Sequence, residues 1–150
     1  MVTVARAARC TPEDVLGVLA DGWLYSTWVV GAARIRAVDP AWPEPGTRIL
    51  HSVGLWPVLI NDETVVLERD PERSLTLQAR GWPAGEARVR IEVDAAPSGC
   101  RIRISEDANK GPGALIPRPL RDAAIGPRNV ETLRRLALLA ERRSPEQLPG

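Results

Sequence analysis

The chain has no phenylalanine, and of its 150 residues only one is histidine, one tyrosine, one methionine and one lysine. Those shortages exclude several chemistries. A single histidine, His51, and two cysteines ninety positions apart, Cys10 and Cys100, do not have zinc-ligand or CxxC spacing, so no built-in metal is expected. The thiols read either as a redox pair or as two reduced, partly buried side chains. No apolar run approaches about eighteen residues, so no membrane span is expected. The opening "MVTVARAARCTPEDV" lacks the apolar core of a secretion signal, and a cytoplasmic location is the corresponding expectation. No P-loop, no GxGxxG after a strand, no HExxH and no GxSxG is found, and no cofactor is implied.

Charge is balanced as well. Twenty basic and nineteen acidic residues leave a formal net charge of +1, which gives no long-range attraction for nucleic acid or anionic membranes. Basic and aromatic residues do not interleave on one strand face as they do on RNA-binding sheets. What is present is 44% hydrophobic and 26% charged residues, the proportions of a globular protein. The length suits one domain, expected over residues 1–143, with 144–150 ("SPEQLPG") as a frayed tail.

Periodicity orders the chain. Thr3–Ala8 reads as a first strand. In "TPEDVLGVLAD", Thr11 is a good N-cap, Pro12 suits the first helical position and Asp14 sits three residues on, as in a capping box. "GWLYSTWVVG" reads as a second short helix or turn. From Ala32 to Asp107 the period falls to two. Six strands follow in succession, separated by the loop "PAWPEPG" and the turns "GLWP", "DPER", "GWPAGE" and "APSG". Each has an apolar and a charged side, clearest where Ala87, Val89, Ile91 and Val93 alternate with Arg88, Arg90 and Glu92. That pattern predicts an antiparallel meander with one covered face, and the lack of crossover helices excludes a parallel sheet. Ala108–Gly126 reads as a long irregular segment, either a lid or a plain connector. Pro127 opens a helix of about sixteen residues, roughly 24 Å long. Its stripe is Val130, Leu133, Leu136, Ala137 and Ala140, and Glu131 can pair with Arg135.

A curved seven-stranded sheet is wider than one helix, about 10 Å across, so covering it with the last helix should leave a cavity. The order β-α-α-β6-α, carried by "TPEDVLGVLADGWLYSTWVVGA", "GTRILHSVG", "DETVVLERDPERSLTLQAR", "ARVRIEV" through "ISED" and "RNVETLRRLALLAE", resembles the helix-grip fold of the START-like (SRPBCC) superfamily. Within it, the chain is similar to the polyketide cyclase/dehydrase and lipid-transport branch. The resemblance implies an α+β fold in which a curved seven-stranded antiparallel sheet wraps a long C-terminal helix. Two short helices would stand between the first two strands, with an internal cavity. In such a fold Cys10, ending the first strand, and Cys100, starting the last, would be neighbours.

Candidate site residues follow from strand register and from that likeness. His51 shares a face with Ile49 and Val53, and reads as a pocket-lining residue or an acid–base group. Glu106 continues the register of Ile102 and Ile104, so it points inward, either orienting a ligand or bonding a nearby loop or arginine. One of Asp62 and Glu63 must face the covered side. Leu77, Val89, Ile91 and Ile104 supply apolar wall from the sheet, and Val130 and Leu133 supply it from the helix. Trp23, Tyr25 and Trp28 would close one end, and Trp56 and Trp82, in turns, would stand near a rim or an association surface.

Three functions remain open. The first is a domain binding a small hydrophobic ligand, such as a lipid, a polyketide or an aromatic metabolite. The second is a cyclase- or dehydrase-type enzyme with His51 and Glu106 as acid–base residues and Tyr25 in support. The third is an interaction module with a nearly filled cavity, working as a homodimer. The number of polar groups converging on the pocket separates the first two.

Overall fold

Alternating strands joined by tight turns form one antiparallel sheet of seven strands in the order β1-β7-β6-β5-β4-β3-β2. The computed structural model describes residues 1–55, 58–81 and 85–143. The strands are β1 (Val2–Ala8), β2 (Ala32–Val38), β3 (Arg48–Leu55), β4 (Val58–Asp70), β5 (Ser74–Gly81), β6 (Gly85–Ala96) and β7 (Gly99–Lys110). Every neighbour is antiparallel, and β1 returns to pair with β7, Val2 opposite Glu106 and Ala8 opposite Cys100. This is the expected helix-grip arrangement, an α+β fold.

Between β1 and β2 lie α1 (Pro12–Ala20), a 3-10 turn over Gly22–Leu24, and α2 (Tyr25–Trp28). The capping box read from the sequence is present. The Thr11 hydroxyl accepts from the Asp14 N–H at 3.2 Å, and the Asp14 carboxylate accepts from the Thr11 N–H at 3.1 Å. Val15, Val18 and Leu19 are buried from α1.

The last third departs from expectation. Ala108–Gly126 is not one irregular segment. β7 runs on to Lys110, a 3-10 turn follows over Pro112–Leu115, and α3 spans Arg118–Arg143. At 26 residues it is roughly 39 Å long. Pro127 lies inside this helix rather than at its start. The N–H groups of Leu120 and Arg121 both donate to the Pro117 carbonyl, so the helix begins nine residues earlier than the proline suggests. Arg121 fastens the new turn by donating to the Ala114 carbonyl at 3.0 Å. A proline costs the helix one internal hydrogen bond, and here the helix continues on both sides of it.

The core forms where the inner faces of the sheet meet α1, α2 and α3. Ile49, Leu77, Ile91, Ile102, Leu133 and Leu136 are among its largest fully buried side chains. α3 buries Asn129, Thr132, Leu133, Leu136, Ala137 and Ala140, a spacing that follows the 3.6 period closely. Val130 was expected in that stripe but is 51% exposed. The flank carrying Thr132 is covered instead, because its hydroxyl accepts from the Val30 N–H at 3.3 Å. Charged residues line the outer face. Glu63 there meets Arg48 at 3.0 Å and Arg80 at 3.2 Å, each pair worth at most about 1 kcal/mol in water.

Candidate functional site

His51 stands on the inner face of β3, opposite Asp62 of β4, while Ile49 stands opposite Thr64. Direct opposition in an antiparallel pair puts these side chains on one face. Register therefore puts Asp62 on the covered side of the strand and Glu63 on the outer side, yet both carboxylates reach Arg80, at 3.7 and 3.2 Å. Asp62 turns one oxygen back to accept from the Glu63 N–H at 2.9 Å.

Tyr25, from α2, reaches down onto these strands. Its ring stacks on His51 at a centroid distance of 5.5 Å and meets Trp28 edge-on at 5.4 Å. Its hydroxyl lies 3.0 Å from the Thr64 hydroxyl, which lies 2.8 Å from His51 Nε2. Thr64 thus joins a tyrosine and a histidine that are 26 positions apart in sequence. All three side chains are buried, His51 to 2% exposure.

The direction of these bonds follows from counting protons. With the imidazole proton on Nδ1, Tyr25 donates to Thr64 and Thr64 donates to Nε2. Every group in the chain is then paired except Nδ1–H. With the proton on Nε2, one hydroxyl proton, of Tyr25 or of Thr64, and the Nδ1 lone pair are both left over, so the first arrangement leaves fewer groups unpaired. Nδ1 of His51 and Nε1 of Trp28 are buried and have no hydrogen-bond partner among the described residues. An unpaired buried polar atom costs roughly 1–3 kcal/mol, so two of them around one tyrosine call for an explanation.

Burial also sets the charge of the cluster. Loss of water pushes the Tyr25 phenol up to about 12. It pushes His51 below the ordinary 6.5, against the opposing pull of Asp62. Both are neutral at pH 7 and act there by hydrogen bonding.

Glu106, on β7, turns inward as its register requires and is buried. Its partners come from α3: Arg128 forms an ion pair with one oxygen, and Asn129 Nδ2 donates to the other at 3.3 Å. Glu106 is thus bonded within a network that includes an arginine. Ile49, Leu77, Ile91, Ile104 and Leu133 are buried around the same interior, with Val89 partly buried beside them.

Two expected wall residues are elsewhere. Val130 faces outward, as described. Trp23 is 59% exposed and lines a cleft on the outside of the protein, because the 3-10 turn rotates it away from Tyr25 and Trp28. Trp56, Trp82 and the side chain of Val53 lie outside the described residues.

Sequence reasoning missed Thr64, Arg128 and Asn129. The alternation Asp62, Thr64, Val66 carried the signal for Thr64. Nothing marked Arg128 and Asn129, because a helix starting at Pro127 would leave both in its first turn. The two thiols do meet, with Sγ atoms 3.9 Å apart, both buried and unbridged. No helix among the described residues is long and apolar enough to cross a membrane, and no group of three or more His, Cys, Asp or Glu is placed to hold a metal ion.

Comparison with known proteins agrees with this architecture. Protein NE0264 from Nitrosomonas europaea superposes with a TM-score of 0.72 at 18% identity, covering 95% of each chain. Protein SA2116 from Staphylococcus aureus, of unknown function, gives 0.71 at 11% identity, covering 94% of this chain and 93% of its own. The di-domain ARO/CYC StfQ from the steffimycin biosynthetic pathway gives 0.71 at 10% identity, covering 94% of this chain and 50% of its own. At these identities the likeness is one of fold. No curated protein matches the sequence. The model of one family matches residues 1–141, nearly the whole chain. The protein belongs to the polyketide cyclase/dehydrase and lipid transport family.

Proposed function

We propose that residues 1–143 form one cytoplasmic ligand-binding unit that encloses a small, mainly hydrophobic molecule between the inner face of the sheet and α3. The ligand is a lipid, a polyketide or an aromatic metabolite. The observation that carries this reading is the pair of buried ring nitrogens, Trp28 Nε1 and His51 Nδ1, left without partners among the described residues and set against the ring of Tyr25. Apolar walls with a few unspent polar groups are what a small-molecule pocket needs. Since both nitrogens are best read as donors, the ligand oxygen that meets them is an acceptor.

Native mass spectrometry of protein purified from its own host, followed by solvent extraction, tests the reading. The expected result is a hydrophobic adduct on the 16.4 kDa chain. A bare mass, together with no response of the Trp28 indole N–H to 1-naphthol, would overturn it. The same spectra report a doubled mass if the working form is a homodimer.

A second reading is supported by the hydrogen-bonded chain from Tyr25 through Thr64 to His51. Such a chain can hand a proton to or from a bound carbonyl compound during ring closure or loss of water, with the pocket holding the substrate folded. Its test is conversion of the extracted ligand by His51→Ala, with Glu106→Gln beside it. Unchanged conversion by both removes the acid–base role and leaves binding.

A further inference from the structure

Away from the interior, a cleft of about 490 Å3 opens where the end of α1, the 3-10 turn, the loop after β2 and the last residue of α3 meet. Trp23 forms one side with its indole exposed. Asp21, Asp39 and Arg143 bring three charges into the same cleft. Each carboxylate spends one oxygen on a backbone N–H, Asp21 on Trp23 at 3.2 Å and Asp39 on Ala41 at 3.0 Å. None of the three charged groups has an ion-pair partner among the described residues, although opposite charges share one cleft.

The guanidinium of Arg143 lies against the backbone of Gly17. Gly17 lies in the middle of α1, where glycine weakens a helix. A Cβ there would sit 2.9 Å from Arg143 Nη2 and 3.2 Å from Cζ. The missing side chain is the space in which the guanidinium rests. Gly17 thus gives up helix propensity and leaves room for the Arg143 guanidinium beside the cleft.

We propose that this cleft is a second ligand site, separate from the interior, for a small zwitterion: a molecule carrying an ammonium and a carboxylate beside an apolar or aromatic body. Arg143 receives the carboxylate, for which a planar guanidinium fork is suited. Asp21 and Asp39 receive the ammonium through their free oxygens. The Trp23 face takes the ring and adds attraction for the cation. A simple anion meets two carboxylates there and a simple cation meets the guanidinium, so each is disfavoured relative to a molecule bearing both.

Three probes with one ring separate these cases: L-phenylalanine, phenylacetate and 2-phenylethylamine. They are titrated into the full chain while the Trp23 indole N–H is followed by NMR, assigned through its loss in Trp23→Tyr. L-phenylalanine should give a saturable shift, with each singly charged analogue at least about tenfold weaker. Arg143→Ala should weaken L-phenylalanine by about tenfold and leave 2-phenylethylamine no weaker, and tighter where relief from the guanidinium is felt. Gly17→Ala should act in the same direction although it removes no ligand-contacting group, and retained spectral dispersion shows that each variant is folded. The proposal is overturned if L-phenylalanine gives no saturable shift. It is overturned equally if L-phenylalanine and 2-phenylethylamine bind alike and Arg143→Ala affects neither.

Discussion

Thr64→Val isolates the interior cluster. Valine has nearly the shape of threonine, so the backbone and packing of β4 should persist and only the hydroxyl is removed. Among the described residues that hydroxyl is the one partner of both Tyr25 Oη, at 3.0 Å, and His51 Nε2, at 2.8 Å. Two buried groups then lose their bonds, and each stranded group costs roughly 1–3 kcal/mol. Removing the buried threonine hydroxyl returns part of this, because its own desolvation no longer opposes folding. The net expectation is a loss of about 2–4 kcal/mol, a large share of a typical 5–15 kcal/mol. Urea unfolding should show a lower midpoint at unchanged slope, and the melting temperature should fall by about 5–15 °C. Tyr25→Phe is the control. Thr64 keeps its bond to His51 in that variant, so the loss should be only about 1 kcal/mol. Thr64→Val made on the Tyr25→Phe background should then cost less than on the natural sequence, since one of the stranded groups is gone. A change within about 0.5 kcal/mol for Thr64→Val, or strict additivity of the two substitutions, would refute the bridging role.

Three further outcomes follow. The only histidine is held neutral, with its folded pKa below the ordinary 6.5. Between that depressed value and 6.5 the unfolded chain binds more protons, so stability should fall as pH drops below 6.5. His51→Gln should flatten the urea-midpoint profile in that window, and an identical slope would contradict the assignment. Burial raises Cys100 and pushes Cys10 up to about 12, so neither thiol should react with a disulfide reagent in the native protein at neutral pH, and both should react in denaturant. Gly99 has φ +144, and a Cβ there would lie 2.2 Å from the Ala8 carbonyl oxygen. Gly99→Ala should therefore cost more than about 2 kcal/mol by thermal melting, and a neutral result would mean that β1 can shift away from the β6–β7 turn.

Legibility of the fold from sequence followed the range of the forces involved. Alternation from Ala32 to Asp107, prolines and glycines between strands, and the Thr11–Asp14 cap are local signals, and the meander and α1 follow from them directly. The start of α3 was misread because Gly126-Pro127 is a strong local stop. The anchors that override it, Pro117 and Arg121 on Ala114, become visible only with the chain folded. Trp42 shows the same limit. It belongs to a proline-rich loop, yet its indole donates to the Leu19 carbonyl at 3.1 Å and is buried.

By itself, then, the sequence determined which faces of the strands are apolar, that His51 and Glu106 point inward, and that the strands pair in succession. Period two fixes side-chain direction without reference to anything distant. Only the tertiary structure decided what those inward groups touch. Tyr25, Thr64 and His51 come from three separate elements, and Glu106 finds Arg128 and Asn129 across the space between sheet and helix. It also decided that Trp23 faces solvent while Trp28, five residues on, does not. Such meetings depend on how whole elements pack against one another, and no local pattern encodes that.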